Sequence, residues 1–188
     1  FYEGQLQPAA ELTSQSLPEI LRSPWTFIDS AGCGFEEEKE EGSESTVNPS
    51  EAEFVLQRTL EILTSCPSFQ IGVIAPYRAQ VTELERQFEE LEEYLNFRER
   101  VEFATVDAFQ GQERDAIVIS LTRSNAEGQV GFLKEYRRTN VAMTRAKHHL
   151  LMVGDGATLG SDDFYRQLME RAEASGAYHS AWEWIYAS

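Results

Sequence analysis

Residues 101–155 read VEFATVDAFQGQERDAIVISLTRSNAEGQVGFLKEYRRTNVAMTRAKHHLLMVGD, and the alternation of apolar runs with polar connections in this stretch decides the fold class. Glu102–Val106 alternates polar and apolar residues, and Ala116–Thr122 is nearly all apolar; both are rich in β-branched and aromatic side chains, the signature of strands. Asp107–Asp115 between them is polar, with one glycine. A loop follows, then a basic helix expected over about Lys134–Ala146 and a third apolar run at Leu150–Val153. Strand, polar loop, strand, helix, strand is the grammar of an α/β sheet whose loops carry the chemistry.

Two motifs in this stretch resemble the last two signature motifs of the superfamily 1 helicases. They are Thr105-Val-Asp-Ala-Phe-Gln-Gly-Gln-Glu113 and Arg137-Arg-Thr-Asn-Val-Ala-Met-Thr-Arg-Ala-Lys147. The branch they most resemble is that of the nonsense-mediated decay helicase and its relatives. The resemblance implies the second of two RecA-like motor domains, which together clamp ATP in a cleft and draw single-stranded nucleic acid across their top. The fold it implies is a mostly parallel sheet of about five strands with helices on both faces, in one domain over residues 1–188.

Composition bounds the reading. A chain of 188 residues has the length of one domain and enough residues for a substantial core. No apolar run approaches the roughly 20 residues needed to cross a membrane, and no signal-like segment opens the chain, so a cytoplasmic protein without membrane contact is expected. Cys33 and Cys66 are lone and far apart, which fits reduced thiols; His148, His149 and His179 have no metal-ligand spacing. The net charge of −16 weighs against a phosphate-rich partner. Its distribution softens that: residues 98–147 carry nine Lys or Arg against seven Asp or Glu, a balance of +2 that leaves −18 for the rest. Much of the acid lies in Glu36–Glu44 and Glu83–Glu93, read as a solvated loop and a solvated helix face.

In chain order, Phe1-Tyr-Glu-Gly-Gln-Leu6 resembles a family segment that follows a nucleotide-contacting arginine, which implies a chain continuous with a longer protein. Residues 7–23 read as an irregular connection, Pro24–Asp29 as a first strand, and the acidic stretch to Thr46 as a mobile loop. Asn48-Pro-Ser-Glu51 combines an Asn cap, a proline at the first helical position and a glutamate three residues after the cap, so it starts a helix running to about Thr64 and carries no chemistry. Ile71–Ala75 is a short buried strand. The helix opened by Pro76-Tyr-Arg-Ala-Gln80 is expected to bury Val81, Leu84, Phe88, Leu91 and Leu95. A helix from Asp162 to Ala174 and an aromatic tail over residues 177–188 close the chain, the tail packing on the core.

The candidate site residues each carry two readings. Pro76 and Tyr77 either shape a turn or, as the resemblance implies, lie beside the nucleic-acid backbone at the carboxyl edge of the sheet. In the loop, Phe109 suits the core, Gly111 a tight turn, and Glu113 a surface charge cluster. The resemblance instead implies that Gly111, Gln112 and Glu113 bind nucleotide, Glu113 accepting from the ATP ribose hydroxyls, and that Thr105 meets the phosphodiester chain. Arg138 and Arg145, seven residues apart, would project from one face of one helix. They are either surface ion-pair partners or, by resemblance, nucleotide-binding, with Arg145 an arginine finger for the γ-phosphate. Asn140 and Thr144 are read as residues that pack the helix or support the site residues from behind.

The resemblance thus implies an ATP-dependent helicase, with single-stranded DNA or RNA and a first RecA-like domain as partners. The sequence contains no G-x-x-x-x-G-K-[ST], so ATP and Mg²⁺ would be held mainly by that first domain, and this fragment alone is expected to be inactive. The competing reading is a non-catalytic RecA-like scaffold whose acidic surface meets proteins.

Overall fold

The computed structural model describes residues 18–39 and 45–186. The motif at Phe1–Leu6 lies outside the described residues. After a 3₁₀ turn at Glu19–Leu21 the chain enters β1 (Trp25–Asp29). Two residue pairs, β2 (Glu38–Lys39) and β3 (Thr46–Val47), form an antiparallel ladder. Then come α1 (Pro49–Ser65), β4 (Ile71–Ala75), α2 (Arg78–Glu90), α3 (Glu92–Leu95), β5 (Val101–Thr105) and β6 (Arg114–Ser120). The chain ends through α4 (Tyr136–Met143), β7 (Ala146–Gly154), α5 (Gly156–Leu159), α6 (Asp163–Ala174), β8 (Tyr178–Ser180) and α7 (Trp182–Ile185).

Among the described residues six strands form one sheet in the order β5-β4-β6-β7-β1-β8, and every pairing in it is parallel. The central strands are apolar throughout because both faces are covered. On one face α1 and α2 bury Phe54, Val55, Ile62, Leu84 and Phe88 against Val73, Val118 and Leu151. On the other, α4, α6 and the 106–113 connection bury Ala142, Leu168 and Phe109 against Ile74, Ile117 and Met152. This is the α/β RecA-like arrangement that the motifs imply, with one strand more. The added strand is β8, from the start of the aromatic tail, whose backbone pairs with β1 at Phe27, Ile28 and Asp29. Beyond it Trp184 packs edge-on to Phe54, with the Arg58 guanidinium 5.3 Å from its ring centroid, so this part of the tail does close over the core.

Three expectations are corrected. The periodic run 81–95 does not make one helix: the chain breaks at Leu91 (φ −107°, ψ 113°), leaving Leu91 and Leu95 exposed while Tyr94 takes the buried place against Phe88. The basic helix is shorter than expected and ends at Met143, and the strand after it starts at Ala146 rather than Leu150. The acidic stretch is not wholly a solvated loop, because Glu37 is held by Arg123.

Candidate functional site

The 105–113 connection has to travel from the carboxyl end of β5 to the amino end of β6, crossing β4 on the way. For a five-residue strand that is a run of about 16 Å. It is a hydrogen-bonded strap: Phe109 N donates to Thr105 O at 3.0 Å and Gln112 N to Phe109 O at 3.2 Å. Phe109 is its pin, fully buried over Gly72 of β4, where a Cβ would come within 2.6 Å of the ring. The far end is tied by side chains. Gln112 Nε2 donates to Glu102 Oε1 at 3.1 Å, Arg114 pairs with Glu102 and donates to Gln112 Oε1 at 2.7 Å, and the Arg114 guanidinium sits 5.3 Å from the Phe109 ring centroid. Gly111 turns the strap with φ +83°, and Glu113 emerges exposed at the amino edge of the sheet.

Arg145 stands beside it. β6 and β7 meet at Arg114↔Ala146, and Arg114 N donates to Arg145 O at 3.1 Å. Arg145 does not continue α4, as its spacing from Arg138 suggested, because its residue is drawn into the start of the ladder. Its side chain folds back on the helix end, Nε donating to Val141 O and Nη2 to Thr144 Oγ1, each at 3.2 Å. Among the described residues it makes no ion pair, although acids outnumber bases two to one, 32 to 16. Thr144 has a structural part here; Asn140 receives the capping N–H of Thr144 on its carbonyl.

Arg138 is elsewhere. It lies near the opposite ends of the strands, ion-paired to Asp107 at 3.2 Å, and joins Pro76, Thr105 and Leu133 around a cleft. The adjoining cleft between the strap and α4, lined by Asp107, Gln110, Arg137 and Arg138, holds about 310 Å³. The structure therefore brings Glu113 and Arg145 together at one sheet edge, and Pro76, Thr105 and Arg138 together at the other. Tyr77 takes the packing alternative: it is 4 % exposed and its hydroxyl accepts from Arg123 Nη1 and Phe132 N, both at 3.2 Å.

Beneath the carboxyl edge lies a polar cluster that the sequence reading passed over. Asn48 caps α1 as expected, accepting from Glu51 N at 3.0 Å. The Glu51 carboxylate does not return to the cap, where Gln80 Oε1 already receives Asn48 N at 2.7 Å. Fully buried, it accepts from Ser120 Oγ at 2.5 Å and Thr122 N at 2.7 Å instead. Burial raises its pKa to about 7, against the lowering effect of those two bonds; Asp155 and Glu37 push it further up. Thr122, with φ +70°, is the one non-glycine residue in the left-handed region among the described residues, and this cluster holds it there. Thr122 launches Arg123, which makes a two-point ion pair with Glu37 (2.7 and 2.9 Å) and clamps Tyr77. Glutamate at the third helical position was the one available signal for this cluster, and capping accounted for it too readily.

Comparisons with known proteins give the family. An AAA domain family model matches residues 1–157. The chain is 37% identical over 182 residues to probable helicase MAGATAMA 3 of Arabidopsis thaliana, covering 92% of this chain and 22% of that protein. It is 36% identical over 193 residues to DNA-binding protein SMUBP-2 of Rattus norvegicus (98% and 19%), and 39% identical over 180 residues to helicase sen1 of Schizosaccharomyces pombe (92% and 10%). The chain thus spans about a fifth or less of the length of relatives such as SMUBP-2 and sen1. With the family model covering most of its length and two helicase motifs seated on a parallel α/β sheet, the chain belongs to the AAA domain family as a RecA-like domain of a superfamily 1 helicase.

Proposed function

We propose that this domain is the second motor lobe of an ATP-driven helicase, gripping a single strand of DNA or RNA at one sheet edge and completing an ATP site at the other. The observation that carries the reading is the placement of an exposed carboxylate and an unpaired guanidinium at one sheet edge: Glu113 directly precedes Arg114, whose N–H donates to the carbonyl of Arg145, and the Arg145 side chain makes no ion pair among the described residues. That pair fits a nucleotide. The carboxylate can only accept, which suits a ribose diol, while the guanidinium stays charged and can fork onto phosphate oxygens. Arg145 acts as the arginine finger to the γ-phosphate. Gly111 and Gln112 bind through their place in the strap, setting where Glu113 stands. Bound ATP with Mg²⁺, held by a phosphate loop on a first RecA-like lobe, supplies the energy that alternates the spacing of the lobes.

At the opposite edge, Thr105 and the Pro76 turn meet the sugar-phosphate chain, with Tyr77 supporting from below. Such contacts position a strand without reading its bases. Arg138 belongs by position to this edge, where its pairing with Asp107 holds α4 to the strap. Thr105 and Glu113 are the two ends of one pinned strap, so a shift at either end is felt at the other, as coupling between sites requires. The deciding experiment is ATP hydrolysis by the full-length protein with and without single-stranded oligonucleotide. Hydrolysis that rises with the strand and is lost in Arg145→Ala supports the motor. No hydrolysis under either condition would leave the scaffold reading in its place.

A further inference from the structure

We propose that the outward face of Phe132 is a stacking seat for one unpaired base of the strand gripped at the carboxyl edge; this rests on the nucleic-acid reading above. Phe132 is 60 % exposed although the residues flanking its turn, Val130 and Leu133, are buried, so the fold holds one large ring out while anchoring the chain on both sides. The ring is fixed in place. Its inner face stacks on Tyr77 with centroids 5.3 Å apart and planes 24° apart, and its own backbone N–H donates to the Tyr77 hydroxyl.

Tyr77 is itself buried and clamped by Arg123, which Glu37 holds in turn. The turn is fitted to this support: Gly131 has φ +55°, and a Cβ there would collide with the Arg123 guanidinium and the Tyr77 hydroxyl. Two parallel rings on a fixed base leave one π-face open, which every nucleobase matches and which costs little ordering entropy on binding.

The surroundings select a base over an apolar protein segment. Phe132 shares its cleft with Pro76, Thr105 and Arg138, where the sugar-phosphate chain is proposed to run. The exposed stretch that follows it contains Lys134, Arg137 and Arg138 against Glu135; Asp107 of the same cleft pairs with Arg138, and the balance that remains is cationic by one, which suits phosphates. Trp182 on Tyr186, another exposed aromatic pair, has only Glu183 for a charged neighbour in its turn and meets none of these conditions.

The test uses the full-length protein, wild type and the variants Phe132→Ala and Phe132→Trp, against oligothymidylate and an abasic strand of equal length. Phe132→Ala should weaken binding of oligothymidylate on the order of tenfold and leave the abasic strand unaffected. Phe132→Trp should restore binding, with an added tryptophan emission quenched by oligothymidylate and not by the abasic strand. Equal loss on both strands would overturn the seat and assign the ring to a protein contact that shapes the whole grip; no loss on either overturns it outright. A wild type that binds neither strand sinks the nucleic-acid reading as well, whereas binding by the wild type with an unaffected Phe132→Ala sinks the seat alone.

Discussion

Arg114 and Arg145 are joined through their backbones, the N–H of the first donating to the carbonyl of the second at 3.1 Å, yet their side chains have opposite fates. Arg114 is spent on Glu102 and Gln112, which tie down the strap, while Arg145 keeps its guanidinium clear of every described carboxylate. Of two arginines at the same sheet edge, one is thereby tied into the strap and the other is left clear of acids.

That division predicts contrasting variants. Arg145→Ala should lower ATP turnover of the full-length protein by about 10³–10⁵, the usual worth of an arginine finger, with only a small fall in the thermal midpoint, because two hydrogen bonds to the end of α4 are lost and no ion pair is broken. Arg145→Lys should recover little, since an ammonium lacks the planar fork. Arg114→Ala should instead lower the thermal midpoint and loosen the strap. Normal turnover in Arg145→Ala would remove the finger from the account.

Gly72 gives a second expectation. A methyl at this position would come within 2.6 Å of the Phe109 ring and 2.8 Å of Ile117 Cδ1. Overpacking of this kind costs about 1–3 kcal/mol, so Gly72→Ala should unfold at lower denaturant. If the strap links the two edges, the same variant should also blunt the stimulation of ATP hydrolysis by single strands. Phe109→Ala leaves a cavity of its own, but combined with Gly72→Ala it should cost less than the sum of the two single changes, because the added methyl then no longer meets the ring.

How much of this was legible in the sequence depends on how local each signal is. The strands and the strap were readable because alternating or continuous apolar residues bounded by polar runs specify them directly. The end of α2 was not: Leu91 and Leu95 continue the helical spacing, and only tertiary packing lets Tyr94 take the buried place. Arg145 was misplaced onto α4 because spacing cannot register that Ala146 pairs with Arg114 in the ladder. Glu37 looked like one more solvated acid, since its partner Arg123 is 86 residues away. β8 was hidden because three half-buried residues at a sheet edge leave no pattern in a run of aromatics.

The Glu37–Arg123 pair yields a third prediction. Both side chains are mostly shielded, and Glu37 also accepts from Ser124 N and Asn125 Nδ2. Removing one partner of a shielded pair leaves the other uncompensated, at a cost of about 3–5 kcal/mol. Arg123→Ala should therefore destabilise strongly and also release Tyr77. Replacing both residues with apolar ones should be milder than either single change in a double-mutant cycle; additive losses would show that the pair is not coupled.

The last prediction concerns pH and sets two buried groups against each other. Glu51 has its pKa raised by burial to about 7, and His149 has its pKa lowered by burial to about 4, opposed by its bond to Ser23 O. A raised carboxyl favours the folded state at low pH and loses that contribution as pH climbs from the unfolded value near 4.5 to about 7. A depressed imidazole does the reverse: its contribution is present above 6.5 and is lost as pH falls towards about 4. Between about pH 4.5 and 6.5 the folded chain carries one proton on Glu51 and the unfolded chain one on its histidine, so the two slopes cancel. Denaturant midpoints of the wild type should hence owe no net slope to this pair across that window. Glu51→Gln should unmask the histidine and make stability rise with pH, by about 1.4 kcal/mol per unit. His149→Gln should unmask the glutamate and make it fall by a similar amount. Parallel pH profiles for the wild type and both variants would show that neither group is held in the protonation state its burial dictates.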